Sequence, residues 1–196
     1  MIKNIPNLLS IFRLITIPIV AWLLLIDLFF YAALFTILIA VSDFLDGFIA
    51  RSLKAESELG SYLDAIADKA FVISIYILIG TANLLPVFII ILVISRDIII
   101  LGSFVITFFA GIKIKLKTSK VSKWNTFFQF FLVIATLLGN TAGFENLINE
   151  TRLIELLIGI VVITTLISLF IYIRYWMESI NSVSYTHLTL PTILPV

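Results

Sequence analysis

Four aspartates, Asp43, Asp46, Asp64 and Asp68, stand close together in the chain with Gly47, Ala50, Arg51 and Gly60 between them. At about 100° per residue of helix, Asp46, Gly47, Ala50 and Arg51 all fall within about 80° of Asp43, on one broad face. Gly60, Asp64 and Asp68 follow at four-residue intervals and share a face of the next helix. Two antiparallel helices with a short connection can therefore present four carboxylates to a single cavity. The plain alternative is a set of structural charges satisfying one another. Four carboxylates against Arg51 and Lys69 leave an excess of negative charge, and each uncompensated charge in a low-dielectric site costs several kcal/mol. Oxygen-only ligands favour Mg²⁺ or Mn²⁺ as the remedy. A pair of such ions about 3.5 to 4 Å apart can clamp the attacking and leaving oxygens of a phosphoryl transfer. Arg51, one turn beyond the aspartates, offers a bidentate fork for a diphosphate. The small residues let a ligand approach the backbone, although they also serve helix packing.

The elements that must hold these groups are membrane-like. Of the 196 residues 61% are hydrophobic and 13% are charged, where a soluble domain has about a quarter charged. Apolar runs recur along the whole chain, each near the roughly 20 residues a helix needs to cross a bilayer. Their pattern lacks the alternation of a barrel. The reading is an all-α polytopic membrane protein. Six spanning helices are expected at about residues 6–27, 29–53, 59–80, 85–110, 123–143 and 152–176. The amino-terminal segment, with Lys3 and Arg13 among apolar residues, suits an amphipathic stretch at headgroup depth. With no Cys there is no disulfide, thiol nucleophile or thiolate metal site. The first apolar run lacks a small-residue cleavage site, so no cleavable signal is expected. A net charge of +1 gives no reason to expect a nucleic-acid partner.

Positive charge sets the sidedness. Lys3, Arg13, Arg51, Lys54, the lysines from Lys113 to Lys123 and Arg174 fall on one side of the six-span arrangement. Asp27, Glu145, Glu150, Arg152 and Glu155 fall on the other. The positive-inside rule makes both termini cytoplasmic and turns the aspartate cluster toward the cytoplasm. The stretch Val183–Leu188 reads like the translation of a sequencing-library adapter. A membrane domain over residues 1–182 is therefore expected, with 183–196 non-native. The single histidine, His187, would then be foreign, and even in a genuine tail a solvated loop residue is the better reading of it.

The eight residues Asp43, Asp46, Gly47, Ala50, Arg51, Gly60, Asp64 and Asp68 match, without a gap, the D-x2-D-G-x2-A-R-x8-G-x3-D-x3-D signature of the CDP-alcohol phosphotransferases. The chain resembles that family over essentially its whole length up to the tail. The resemblance implies transfer of a substituted phosphate from a CDP-alcohol to an acceptor hydroxyl, with CMP leaving and a divalent metal required. It implies that Asp43, Asp46, Asp64 and Asp68 form the metal site, for two ions, and that Asp68 doubles as general base. Asp46, Gly47, Ala50, Arg51 and Gly60 would receive the CDP moiety. A homodimer in a bacterial inner membrane, with its site facing the cytoplasm, is also implied.

The opening NIPNLLSIFRL, through Pro6, Asn7, Ser10 and Arg13, is similar to bacterial phosphatidylglycerophosphate synthases, which implies CDP-diacylglycerol as donor and glycerol 3-phosphate as acceptor. The alternatives are a CDP-alcohol-type cardiolipin synthase using phosphatidylglycerol and a cation transporter with intramembrane aspartates. Lys120 and Lys123 are expected to reach inward toward the acceptor, and Arg96 is a further candidate contact. Arg96 should face the bundle interior and pair with a carboxylate, Asp97 foremost. Ser122 and Asn125 depart from the synthase run G-K-x-K-T-x-x-Q, standing where Gly and the second Lys belong.

Overall fold

The computed structural model describes residues 5–53, 58–109, 120–144 and 152–188, with side chains for 12–42, 69–103, 105–106, 121–144 and 152–177. Six helices and no strand occur among the described residues: α1 (Ile5–Leu25), α2 (Phe29–Leu53), α3 (Glu58–Thr81), α4 (Val87–Phe109), α5 (Lys120–Gly139) and α6 (Leu153–Leu188). They pack as a closed ring in the order α1, α3, α4, α6, α5, α2, and α3 also touches α5 across the middle.

Two of the connections are tight. After α1, Asp27 takes a left-handed backbone with φ 57°, and the amide of Leu28 donates to the carbonyl of Leu23 while that of Asp27 donates to Leu24. After α3, Asn83 does the same with φ 55°, its neighbour Leu84 donating back to Ile79. Both are helix stops that use a short polar residue to tolerate the left-handed region and satisfy the last carbonyls. Beside the second stop, Gly80 lets α4 approach closely, since a Cβ there would lie 2.6 Å from Ile90 Cδ1.

The bundle has an apolar core, into which a set of polar groups is folded, and it is apolar outside as well. Arg96, Asp97, Asn125 and Gln129 are fully buried, whereas Trp22, Leu25 and Phe170 are 65%, 77% and 70% exposed. The apolar exterior suits a hydrocarbon solvent. Val121–Gly139 and Leu153–Met177 are each long and apolar enough to cross a membrane. Buried hydroxyls are satisfied along their own helices, as where Thr36 and Thr136 each donate to a carbonyl four residues back.

Two expectations change. Helix α1 runs unbroken from Ile5, and Arg13 on it is 2% exposed. Helix α5 starts at Lys120, before the expected 123, and stops at Gly139. Helix α6 continues to Leu188, well past 176, so His187 has a helical backbone and not a loop. No Gly or Pro lies between Gly159 and Pro191 to stop it.

Candidate active site

Helix α2 carries Asp43, Asp46, Gly47, Ala50 and Arg51 without a break, and α3 carries Gly60, Asp64 and Asp68 likewise. The helical spacing on which the shared faces depend is therefore present in the backbone. The side chains from Asp43 to Asp68 lie outside the described residues, and with them the convergence of the four carboxylates.

The described part of the site begins one residue later. Lys69 Nζ lies 2.8 Å from Asp97 Oδ1 on α4, which joins the end of the aspartate motif to the bundle interior. Arg96 Nη1 lies 2.5 Å from the same oxygen, so two cations share one carboxylate oxygen. Arg96 and Asp97 are wholly buried, and the expected Arg96–Asp97 pairing is present. Breaking such a pair leaves an uncompensated charge at depth, the costly case. The other end of the guanidinium donates from Nη2 to Ser168 Oγ on α6, at 2.7 Å, and to Ser122 Oγ on α5. Arg96 thus ties α4 to both α5 and α6.

Helix α5 continues inward in steps of about one turn through Ser122, Asn125 and Gln129. At Asn125, the hydroxyl of Thr165 donates to Oδ1 at 2.9 Å. The hydroxyl of Thr164 lies 2.8 Å from that oxygen and 2.8 Å from the Ile160 carbonyl, sharing its one proton. At Gln129, the phenol of Tyr76 on α3 donates to the backbone carbonyl at 3.2 Å, and the buried side-chain amide has no hydrogen-bond partner among the described residues. Toward the other end of α6, Ser103 and Tyr172 hydrogen-bond, and Ser103 also donates to the Ile100 carbonyl.

Of the expected acceptor contacts, Arg96 is in this buried network. Lys123 is not: it is exposed, because at about 100° per residue it sits roughly 200° from Asn125 on the same helix. The side chain of Lys120 lies outside the described residues. In the sequence Ser122 and Asn125 stand out only as departures from a pattern, and Thr164, Thr165 and Ser168 carry no expectation. The available signal was polar residues at three- and four-residue intervals in otherwise apolar helices, which marks an inward face.

A family model described as CDP-alcohol phosphatidyltransferase matches residues 3–167, which takes in the whole aspartate motif and all of the network except Ser168 and Tyr172. The chain belongs to the CDP-alcohol phosphatidyltransferase family. It is 37% identical over 160 residues to the CDP-diacylglycerol–glycerol-3-phosphate 3-phosphatidyltransferase of Cereibacter sphaeroides, covering 76% of this chain and 69% of that one. It is 32% identical over 173 residues to the chloroplastic enzyme of the same name from rice, covering 80% of this chain and 53% of that protein. It is 30% identical over 194 residues to the rat cardiolipin synthase (CMP-forming), covering 91% and 63%. The chain thus spans about half of the rice relative's length and under two thirds of the rat one's.

Proposed function

We propose that this protein makes phospholipid by transferring the phosphatidyl group of CDP-diacylglycerol to an alcohol, glycerol 3-phosphate, with release of CMP. The observation that carries this is the complete eight-residue signature, borne on two unbroken helices inside the family match. Relatives named for that reaction support the choice of acceptor, with up to 37% identity against 30% for the rat cardiolipin synthase. Family membership displaces the transporter alternative.

The donor set is all carboxylate and supplied at helical spacing, which fits a hard divalent ion. Asp43, Asp46, Asp64 and Asp68 would hold Mg²⁺ or Mn²⁺, two ions, whose chemistry there is to offset the charge of the diphosphate. Arg51 would receive the diphosphate through its planar fork, and Gly47, Ala50 and Gly60 would leave room for the CDP moiety. Asp68 would take the proton from the acceptor hydroxyl as its oxygen attacks the phosphatidyl phosphorus. The bond from that phosphorus to the CMP oxygen breaks, and CMP leaves with the electron pair. Arg96, held by Asp97 and Ser168, would meet the anionic group of the acceptor. Six spans with the motif facing the cytoplasm of a bacterial inner membrane, a homodimer, and a working unit ending near Ser182 complete the reading.

The test is turnover of purified protein with CDP-diacylglycerol and a panel of acceptors. Release of CMP with glycerol 3-phosphate, abolished by EDTA and restored by Mg²⁺ or Mn²⁺, is expected. Turnover with phosphatidylglycerol alone would reassign the acceptor, and full activity in EDTA would remove the metal from the account.

A further inference from the structure

Helix α3 meets α4 at two points on one face. At about 100° per residue, Lys69 and Gly80 lie within about 20° of each other around the helix. Gly80 admits the side chain of Ile90, next to the Asn83 stop that closes the hairpin. About 16 Å along the axis, at 1.5 Å per residue, Lys69 Nζ lies 2.8 Å from Asp97 Oδ1. The buried apolar side chains of α3 lie between the two points. They begin at Phe71, whose ring stacks on Phe130 of α5 with centroids 5.9 Å apart, and run through Val72 and Ile75 to Ile79. Among the described residues, the contact of α3 nearest the aspartate motif is therefore polar, and Asp68 precedes it directly.

The far end of that contact is braced. Arg96 Nη1 holds the same oxygen of Asp97 at 2.5 Å, while Nη2 bonds to Ser168 on α6 at 2.7 Å and to Ser122 on α5. Asp97 is wholly buried, so water and salt screen the lysine–carboxylate bond little. Around the helix, Asp68 and Asp64 stand about 100° and 140° from Lys69, both in the same sense. A turn or swing of α3 at Lys69 thus moves both aspartate positions together.

We propose that Lys69 is a positioning residue: through the braced carboxylate of Asp97 it fixes the motif end of α3 against α4, and with it the placing of Asp64 and Asp68. The proposal rests on the reading above of these two as metal ligands and of Asp68 as the base. It adds a residue outside the eight-residue signature that the signature depends on.

The experiment replaces Lys69 with Met, which keeps most of the stem and removes the charge while leaving Asp97 to Arg96. Two properties are measured on purified protein in detergent: turnover of CDP-diacylglycerol with glycerol 3-phosphate at saturating Mg²⁺, and Mn²⁺ binding without substrate by electron paramagnetic resonance. In Lys69→Met, kcat should fall on the order of 10- to 10²-fold, the scale of a small misplacement of reacting groups, with little change in the KM for CDP-diacylglycerol. Mn²⁺ affinity should fall about tenfold, as when a group that orients metal ligands is lost. Lys69→Arg keeps the charge and reaches the same oxygen, so it should restore most of both. Asp97→Glu keeps every charge but lengthens the link by a methylene; kcat and Mn²⁺ affinity should fall there too, and this variant carries the test if Lys69→Met does not fold. A packing role alone would lower the melting temperature and leave kcat per folded molecule and Mn²⁺ affinity at native values, which would overturn the proposal. Equal losses in Lys69→Arg and Lys69→Met would overturn it as well, and a rise confined to the KM for glycerol 3-phosphate would make Lys69 an acceptor contact instead. The reading of the aspartates fails separately: turnover that survives Asp64→Asn and Asp68→Asn would remove them from the site whatever Lys69→Met does.

Discussion

The aspartate motif on α2 and α3 and the polar ladder across α4, α5 and α6 are organised differently. The motif is local in sequence, two successive helices repeating acidic and small residues at three- and four-residue intervals. The ladder is assembled from distant segments, Arg96 meeting Ser168 across 72 residues and Asn125 meeting Thr165 across 40. The first concentrates four like charges along a short stretch of sequence, for which the proposed function supplies a cation from outside. The second sets Lys69 and Arg96 on one carboxylate oxygen and supports them with neutral hydroxyls and amides. A site holding a phosphorylated donor and a hydroxylated acceptor needs both kinds, and the link between them is short: Lys69 follows Asp68 directly.

The largest effects should come from the motif. Asp43→Asn should abolish turnover together with donor binding. Asp68→Asn should lower kcat by about 10² or more, the usual scale for a general base, while sparing affinity for CDP-diacylglycerol. Calorimetric binding alongside kcat for the two variants separates these roles. Equal loss of binding in both would make Asp68 chiefly a ligand. In the ladder the first consequence should be for stability. Asp97→Asn leaves Arg96 and Lys69 without their shared carboxylate, and loss of one partner of a buried pair costs about 3–5 kcal/mol. Thermal unfolding in detergent should show it, and an unshifted melting temperature would mean that other groups hold Arg96. The smallest effect should be at Ser168→Ala, which removes one of the acceptors for the guanidinium and should cost about 1 kcal/mol. If Ser168→Ala destabilised as much as Asp97→Asn, the hydroxyls rather than the carboxylate would be what anchors the arginine.

How far the sequence alone reaches follows from the same contrast. Six apolar runs translate into helices because length and hydropathy are local properties, and the aspartate spacing is legible for the same reason. Arg96 and Asp97 are legible as an inward pair because charge at such depth has few solutions. Asn125 is not, since its orientation is decided by Thr164 and Thr165 on another helix, and nothing in its neighbours along the chain points to them. Lys123 illustrates the converse error. Its charge and position near the start of α5 drew it inward, but helix phase turns it outward and gives the interior to Ser122 and Asn125. Like Asn125, Arg13 is another such residue, since its burial follows from the packing of α1 against α2 and α3 and not from its neighbours along the chain.

The stops at Asp27 and Asn83 have a mechanical consequence. Each closes a hairpin, α1 with α2 and α3 with α4, by a bond that reaches back five residues. Sliding one helix along its partner by a turn, about 5.4 Å, would tear that bond, so the arms of a hairpin can tilt about their closed end but cannot shift in register. The aspartates are divided between the two hairpins, Asp43 and Asp46 on the free arm of one and Asp64 and Asp68 on the arm of the other, each beyond the middle of its helix from the closed end. The two halves of the motif therefore stand on separate hairpins, and the packing of α1 against α3 is what joins those hairpins.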